Sequence, residues 1–168
     1  MHTIDVLRYG QLTLLGTLEG LPDSARDKQG ACGIWSVKDI LAHLASYELV
    51  LIDVLRSEAE AVSETPWLDR LIAKGATFND SEVADRREMG FEELLTELGD
   101  AHAETLRLTA VISAERLREP GTMPWYGAEY AINDLIVYQY YGHKREHGAQ
   151  IAAFRDHGAR LGQAVATC

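Results

Sequence analysis

The chain has 168 residues, 46% of them hydrophobic and 25% charged, which suits one domain with a substantial core and is too short for two to be expected. Sixteen lysine and arginine residues against 26 aspartate and glutamate residues give a formal net charge of −10. This charge repels nucleic-acid phosphates and anionic membrane surfaces, so we expect neither as a partner.

Helical periodicity occurs in four segments, and no segment shows sustained strand alternation. The first predicted helix covers residues 3–18 and ends before Gly20 and Pro22. The second begins after Ser36, which has Asp39 at the capping-box position three residues later. Trp35 and Ile40 have the spacing of a hydrophobic staple across the same helix start. We expect this second helix to end near residue 61.

A long connection, residues 63–90, follows and is expected to include a short helix around residues 68–73. The third helix is predicted for residues 91–115 and the fourth for residues 129–157. The expected inward-facing residues of the fourth helix are Ile132, Ile136, Gln139, Tyr140, His143, His147, Gln150, Ile151 and Phe154. Four amphipathic helices predict an all-α, four-helix bundle, and the long connection after the second helix indicates a crossover.

Targeting and cysteine signals favour a cytoplasmic protein. The longest mostly apolar stretch, residues 49–55, is interrupted by Asp53 and is far shorter than a membrane span. The first residues lack the basic and apolar regions of a signal peptide. Two cysteines, Cys32 and Cys168, cannot form a disulfide framework. We therefore expect one domain, residues 1–168, in a reducing compartment.

His143 and His147 are four residues apart, so they lie on one helix face, one turn from each other. Two imidazoles in this arrangement can share a metal ion. The spacing is also common in helices, and taken alone it favours a second interpretation. In that interpretation the two rings form hydrogen bonds with neighbours such as Gln139 and Gln150, because polar rings buried without partners are costly.

A third histidine changes this balance. His43 lies in the second turn of the second helix, on the flank of its apolar stripe. If the second and fourth helices are antiparallel, His43 is level with His143 and His147. Three histidines from two facing helices would hold a divalent ion and leave coordination positions open, as catalytic sites do. His102 is a rival ligand, although we favour a core or pocket-lining role for it.

The remaining chemistry-bearing residues have two interpretations each. Tyr47, Tyr140 and Trp125 are either ordinary packing residues or, with His102, the wall of a pocket beside the histidines. Two glutamates, Glu48 and Glu146, are candidate general bases, but solvated helix-face carboxylates are the favoured interpretation. No nucleophile or phosphate-binding motif occurs, so no catalytic residue is assigned.

Two blocks resemble the DinB/YfiT-like metalloenzyme superfamily. The segment from Trp35 to Leu44, followed by Glu48, is similar to the second-helix signature of that family. The segment from His143 to His147, followed by Gln150 and Ile151, is similar to its fourth-helix histidine pair. The blocks lie about a hundred residues apart, as they do in the family.

This resemblance implies an up-down-down-up bundle in which His43, His143 and His147 are the metal ligands. It also implies a homodimer. Characterised members include hydrolases and transferases or isomerases that use the thiols mycothiol or bacillithiol. A related group, the ClbS/DfsB-like proteins, has the same bundle and can act without metal. The three retained histidines point away from that metal-free mode.

The sequence thus favours a metal-dependent enzyme with Zn²⁺ or Ni²⁺ at the three histidines. We expect a hydrolase or a low-molecular-weight-thiol transferase acting on a small electrophilic substrate. A metal-independent protein that binds a small molecule in the bundle, with a protective role, is the main alternative. A purely structural dimerisation module is a third possibility.

Overall fold

Helices are the regular elements of this computed structural model, which describes residues 2–166, with side-chain surroundings for residues 2–158. In chain order they are α1 (Thr3–Leu18), α2 (Asp23–Arg26), α3 (Val37–Ala59), α4 (Pro66–Lys74), α5 (Phe78–Asp85), α6 (Phe91–Val111), α7 (Ala114–Leu117), α8 (Ile132–Leu135), a π-helical segment (Ile136–Gly142) and α9 (His143–Ala166), with a 3₁₀ turn (Gly75–Thr77) between α4 and α5. The predicted all-α class is confirmed. Cys168 lies outside the described residues.

The bundle consists of α1, α3, α6 and a fourth bundle helix formed by α8, the π-helical segment and α9. Two contacts show that α1 and the fourth bundle helix run parallel. Thr3 Oγ1 donates to Asn133 Oδ1 at their starts (2.7 Å), and Arg155 donates to the carbonyl of Thr17 near the end of α1 (3.0 Å). These two helices also pack along their length.

Helices α3 and α6 form the second parallel pair. Lys38 donates to the carbonyl of Arg87 just before α6 begins (2.9 Å), and Arg107 donates to Glu60 where α3 ends (2.8 Å). The end of α1 shares a core cluster with the start of α3, so these two helices are antiparallel. The resulting order is up-down-down-up, which confirms the prediction made from the resemblance.

The crossover between α3 and α6 is more helical than predicted. It contains α4 and α5 rather than one short helix. Helix α4 begins with Pro66, and the amides of Trp67 and Leu68 both donate to a carboxylate oxygen of Asp53 on α3 (2.6 and 3.1 Å). The Asp53 side chain thus caps the first crossover helix. Local sequence signals do not reveal this long-range partner.

Three predicted helix ends differ from the structure. Helix α3 ends at Ala59 rather than near residue 61, because Ala61 has a positive φ of 51°. The third bundle helix ends at Val111 rather than near residue 115, because Ser113 caps a separate short helix. The fourth begins at Ile132 rather than near residue 129, after an extended Ala131.

The π-helical segment changes which residues of the fourth bundle helix face inward. Its turns hold more residues than α-helical turns, so a face extrapolated at 3.6 residues per turn drifts away from the true one. The prediction that Gln139 faces inward is therefore wrong: its side chain is exposed, whereas Ile136 and Tyr140 are buried. No described helix has both the length and the apolarity that crossing a bilayer requires.

Candidate metal centre

The start of α3 determines the position of His43. The Asp39 amide donates to Ser36 Oγ (3.1 Å) and the Ser36 amide donates to Asp39 Oδ2 (2.8 Å), which is the predicted capping box. With the first turn fixed in this way, His43 lies on the second turn with its ring 2% exposed. The Trp35 ring, just before the cap, lies 5.0 Å from the His43 ring.

His143 and His147 occupy the first two turns of α9, directly after the π-helical segment. Because α3 and the fourth bundle helix are antiparallel, this part of α9 is level with the second turn of α3. The His43 ring lies 4.7 Å from the His143 ring and 5.1 Å from the His147 ring. The structure therefore brings together the three histidines that the sequence predicts as ligands.

The Nε2 atom of His143 lies close to those of the other two rings. The Nε2 atom of His143 lies 2.8 Å from that of His43 and 3.0 Å from that of His147. Ring nitrogens that share an ion at about 2.1 Å lie about 3.0–3.4 Å apart, depending on the angle between them. The spacing of the cluster is close to what one divalent ion would require.

Two of the three other ring nitrogens are held by groups outside the cluster, whereas the buried Nδ1 atom of His43 has no hydrogen-bond partner among the described residues. His147 Nδ1 pairs with Gln150 Oε1 at 2.8 Å, and the His143 ring bonds to the backbone carbonyl of Gln139. Both outer partners accept hydrogen bonds, so the rings of His143 and His147 each carry the N–H outward and turn an unprotonated Nε2 inward. Two inward lone pairs at this distance repel unless a cation lies between them. This donor set therefore fits a metal ion.

Burial keeps the three histidines in the neutral form that binds metal. Burial, with smaller contributions from the neighbouring His143 and His147, lowers the pKa of His43 to about 2. Burial likewise lowers the pKa of His143 to about 4, with a smaller contribution from His147. The pKa of His147 is also lowered by burial. Near neutral pH, no proton competes with a cation for the cluster.

A cleft of about 200 Å³ adjoins the cluster and is called the aromatic cleft below. It is lined by Tyr47, Trp125, Tyr126 and Tyr140, by three aliphatic side chains and by Gln139. The Tyr47 ring joins the two features, because it lies 4.9 Å from the His43 ring and 5.0 Å from the His143 ring. Three of the four residues predicted to line a pocket, Tyr47, Trp125 and Tyr140, thus meet here.

The crossover supplies one wall of the aromatic cleft. Leu71 of α4 lines it, and Phe78 of α5 packs edge-on against Tyr47 with a ring separation of 5.7 Å. The Tyr47 hydroxyl donates to Asn79 Oδ1 at 3.2 Å, and burial raises the Tyr47 pKa. The phenol is therefore neutral and held in place by the crossover.

His102, the fourth predicted pocket residue, lies elsewhere, in a buried polar network with Glu48 and Lys144. Lys144 forms an ion pair with Glu48, and its Nζ lies 3.3 Å from His102 Nδ1. The second Glu48 oxygen accepts a hydrogen bond from Thr105 (2.9 Å). Burial opposes ionisation of Glu48, but the Lys144 ammonium and His102 outweigh it and lower the Glu48 pKa to about 2.

The interpretation of Glu48 as a solvated helix-face carboxylate is therefore wrong, because its side chain is 0% exposed. The sequence nevertheless contains a signal that Glu48 is buried. Glu48 continues the spacing of Leu41 and Leu44 towards Leu51, so it occupies a core position of the α3 stripe. A carboxylate at such a position requires a buried cation, and Lys144 supplies it. Glu146, the other glutamate considered, is exposed as expected.

Comparison with known proteins identifies the family and the fold. The profile of the DinB superfamily matches residues 7–151. An uncharacterised protein of Escherichia coli UTI89 superposes with a TM-score of 0.73 at 15% identity, covering 94% of this chain and 92% of that one. A Streptococcus pneumoniae protein, a structural-genomics target, superposes with a TM-score of 0.73 at 13% identity, covering 92% and 88%. These two likenesses concern the fold, and no curated protein matches. The family match extends over most of the sequence and includes all three histidines, so this chain belongs to the DinB superfamily.

Proposed function

We propose that the protein is a metal-dependent enzyme that binds Zn²⁺ or Ni²⁺ through His43, His143 and His147. The observation that carries the proposal is the meeting of three Nε2 atoms, each within 3.0 Å of its nearest neighbour, on neutral rings of which two are held from outside. Membership of the DinB superfamily is consistent with it. Imidazole ligands suit both ions, so availability and geometry decide between them.

The reaction we propose is hydrolysis, or transfer of a low-molecular-weight thiol, at a small electrophilic substrate. A divalent ion with three histidine ligands supplies Lewis-acid activation of water or a thiol near neutral pH. The residues of the chain prepare for this chemistry. Gln150 and the Gln139 carbonyl orient two rings, burial keeps all three rings neutral, and Tyr47 shields the side that faces the aromatic cleft.

Elemental analysis of protein purified without a His-tag or chelator tests the metal site. We expect about one ion per chain in the native protein and none in a His43→Ala variant, because two histidines on one helix hold an ion much more weakly than three. The matched control is His157→Ala, which removes an exposed histidine. No metal in the native protein, and no uptake of added Zn²⁺ or Ni²⁺, would contradict the proposal.

Spectroscopy of cobalt-substituted protein separates the two reactions. If a thiol is the co-substrate, adding a low-molecular-weight thiol should change the visible spectrum and release protons, since the thiolate is the form that metals bind. A spectrum that stays the same, without proton release, argues against thiol transfer and favours hydrolysis.

A metal-independent protein that binds a small molecule is the second candidate. The aromatic cleft favours it, because the cleft is formed without any of the three histidines. The elemental analysis decides between the two candidates: a protein that never takes up metal but binds a ligand in the cleft belongs to this second class.

We further propose that the protein acts on its small-molecule substrate as a cytoplasmic homodimer. Cys32 is a free thiol, which suits a reducing compartment. Sedimentation velocity at micromolar concentration measures the assembly, and a single species with the mass of one chain would contradict the dimer.

A further inference from the structure

We propose that the aromatic cleft binds an uncharged, single-ring aromatic group of the substrate and presents it beside the histidine cluster. The inference rests on the proposed function in one respect, since it takes the bound ring to be part of the molecule that reacts there. The cleft itself is a property of the folded chain and can be examined without metal.

The size of the cleft limits its occupant. A volume of about 200 Å³ is smaller than a typical drug-sized pocket but exceeds the roughly 150 Å³ of an engineered cavity that holds one benzene molecule. The space within the cleft therefore suits one substituted six-membered ring. The cleft is open to solvent on one side, where the Trp125 side chain is 37% exposed, so a ring can enter without unfolding.

The chemistry of the lining favours an aromatic group over an aliphatic one. Four aromatic side chains surround the space, and rings of this kind gain from offset-stacked and edge-to-face contacts with another ring. Trp125 and Tyr126 already lie against each other with centroids 5.7 Å apart, and Tyr126 also packs against Tyr130 at 5.2 Å, so tilted ring contacts of this kind hold this side of the cleft together.

The charge of the lining excludes an anion. None of the eight residues that line the described cleft is charged, and the whole chain has a net charge of −10. A carboxylate or phosphate placed here would lose its water without gaining a cation, which is costly. The Gln139 amide and the neutral Tyr140 phenol can instead hydrogen-bond to a neutral polar substituent, because burial raises the Tyr140 pKa well above its usual value.

The position of the cleft gives the ring its role. Tyr47 forms part of the cleft and also touches the rings of His43 and His143. A ring bound against Tyr47 therefore contacts the side chain that packs on the histidine cluster. The ring provides binding energy away from the reacting atoms, which an enzyme can use to position its substrate.

The test follows binding of 4-fluorobenzyl alcohol by ¹⁹F NMR to chelator-treated protein. Two variants on adjacent positions of α4 provide the comparison: Leu71→Trp, which fills the cleft, and Ile72→Trp, whose position is 55% exposed outside it. We expect saturable binding to the native protein and to Ile72→Trp, and binding at least about tenfold weaker to Leu71→Trp. Equal binding to both variants would overturn the proposal.

Two further probes test the ligand class. We expect cyclohexylmethanol to displace the fluorinated alcohol only at about tenfold higher concentration, and 4-fluorobenzoate to bind about tenfold more weakly. If either binds as well as the aromatic alcohol, the assignment of an uncharged aromatic group is wrong. Should Leu71→Trp fail to fold, Trp125→Ala replaces it. Loss of one aromatic partner predicts about three- to tenfold weaker binding there, and no change would overturn the proposal.

A His43→Ala variant keeps this test separate from the proposed function. It lacks one predicted ligand but keeps the residues that line the cleft, so we expect it to bind 4-fluorobenzyl alcohol like the native protein. Binding of the alcohol by a protein that takes up no metal would refute the metalloenzyme and leave the cleft assignment standing. Metal uptake without binding of the alcohol would have the opposite meaning.

Discussion

His143 and His147 are oriented by two different kinds of partner. The amide oxygen of the Gln150 side chain holds His147, whereas a backbone carbonyl, that of Gln139, holds His143. A substitution can remove the first partner but not the second. Two glutamines beside the same cluster therefore have different expected effects when they are replaced.

Gln150→Leu should weaken metal binding by about ten- to a hundredfold, because the His147 ring loses the acceptor that fixes its tautomer and orientation. Gln139→Ala is the matched control. It removes an exposed amide but keeps the backbone carbonyl, so metal affinity should not change. Competition with a chromophoric chelator measures both affinities. Equal affinities for the native protein and Gln150→Leu would show that the Gln150 contact does not orient the ring.

Glu48 and Lys144 are charged groups buried in the core, 0% and 2% exposed. A buried ion pair adds little net stability, because the cost of removing both charges from water offsets their attraction. Loss of one partner is different, since it leaves the other charge buried without compensation. The pair should therefore be more sensitive to single than to double replacement.

Glu48→Gln should lower the free energy of unfolding by about 3–5 kcal/mol, as measured by urea denaturation of metal-free protein. Glu146→Gln, an exposed carboxylate on α9, should change it by less than about 0.5 kcal/mol. The double variant Glu48→Leu/Lys144→Met should recover most of the loss. A double variant as unstable as Glu48→Gln would show that the pair contributes net stability.

At the scale of elements, the π-helical segment sets the phase between α8 and α9. Ile132 and Leu135 pack into the core before it, and His143 and His147 reach the cluster after it. Both sets face inward from one continuous helix, as regular helical spacing also predicts, whereas Gln139 in the segment between them is exposed. π-helical turns of this kind are frequent at functional sites.

The cap that Asp53 provides to α4 is another contact between elements. Asp53→Ala should destabilise the protein by about 1–2 kcal/mol, because it leaves the amides of Trp67 and Leu68 without their acceptor. The effect should be largest in the crossover, where hydrogen exchange of those two amides should become faster. Glu64→Ala, an exposed residue just before α4, is the control. Unchanged exchange in Asp53→Ala would show that the cap is not needed to hold α4.

At the scale of the whole molecule, a bound ion would connect two helices that touch little. Helices α3 and α9 contact each other far less than α3 contacts α6 or α1 contacts α9. The histidine cluster thus bridges the two parallel pairs of the bundle. A ligand that binds only the folded chain at such a position stabilises the whole fold.

Metal removal should therefore lower the unfolding temperature. At a free ion concentration about a hundred times the dissociation constant, binding adds about 2.7 kcal/mol, or roughly 5–10 °C for a chain of this length. Thermal unfolding with and without chelator measures the difference. The His43→Ala variant should show no such difference. If the unfolding temperature of the native protein changes with neither chelator nor added metal, the role of the cluster as a bridge is contradicted.

The sequence by itself determined the helical class, the first helix, the Ser36 cap and the three histidines, because these depend on local capping and on the regular spacing of residues along a helix. Their meeting was also predictable, once antiparallel helices were assumed. Tertiary structure alone decided the rest. The cation that neutralises the buried Glu48 comes from Lys144, 96 positions away. The π-helical segment displaced Gln139, and the start of α4 depended on Asp53. Each of these outcomes requires a partner or a change of helical phase that no short stretch of sequence encodes.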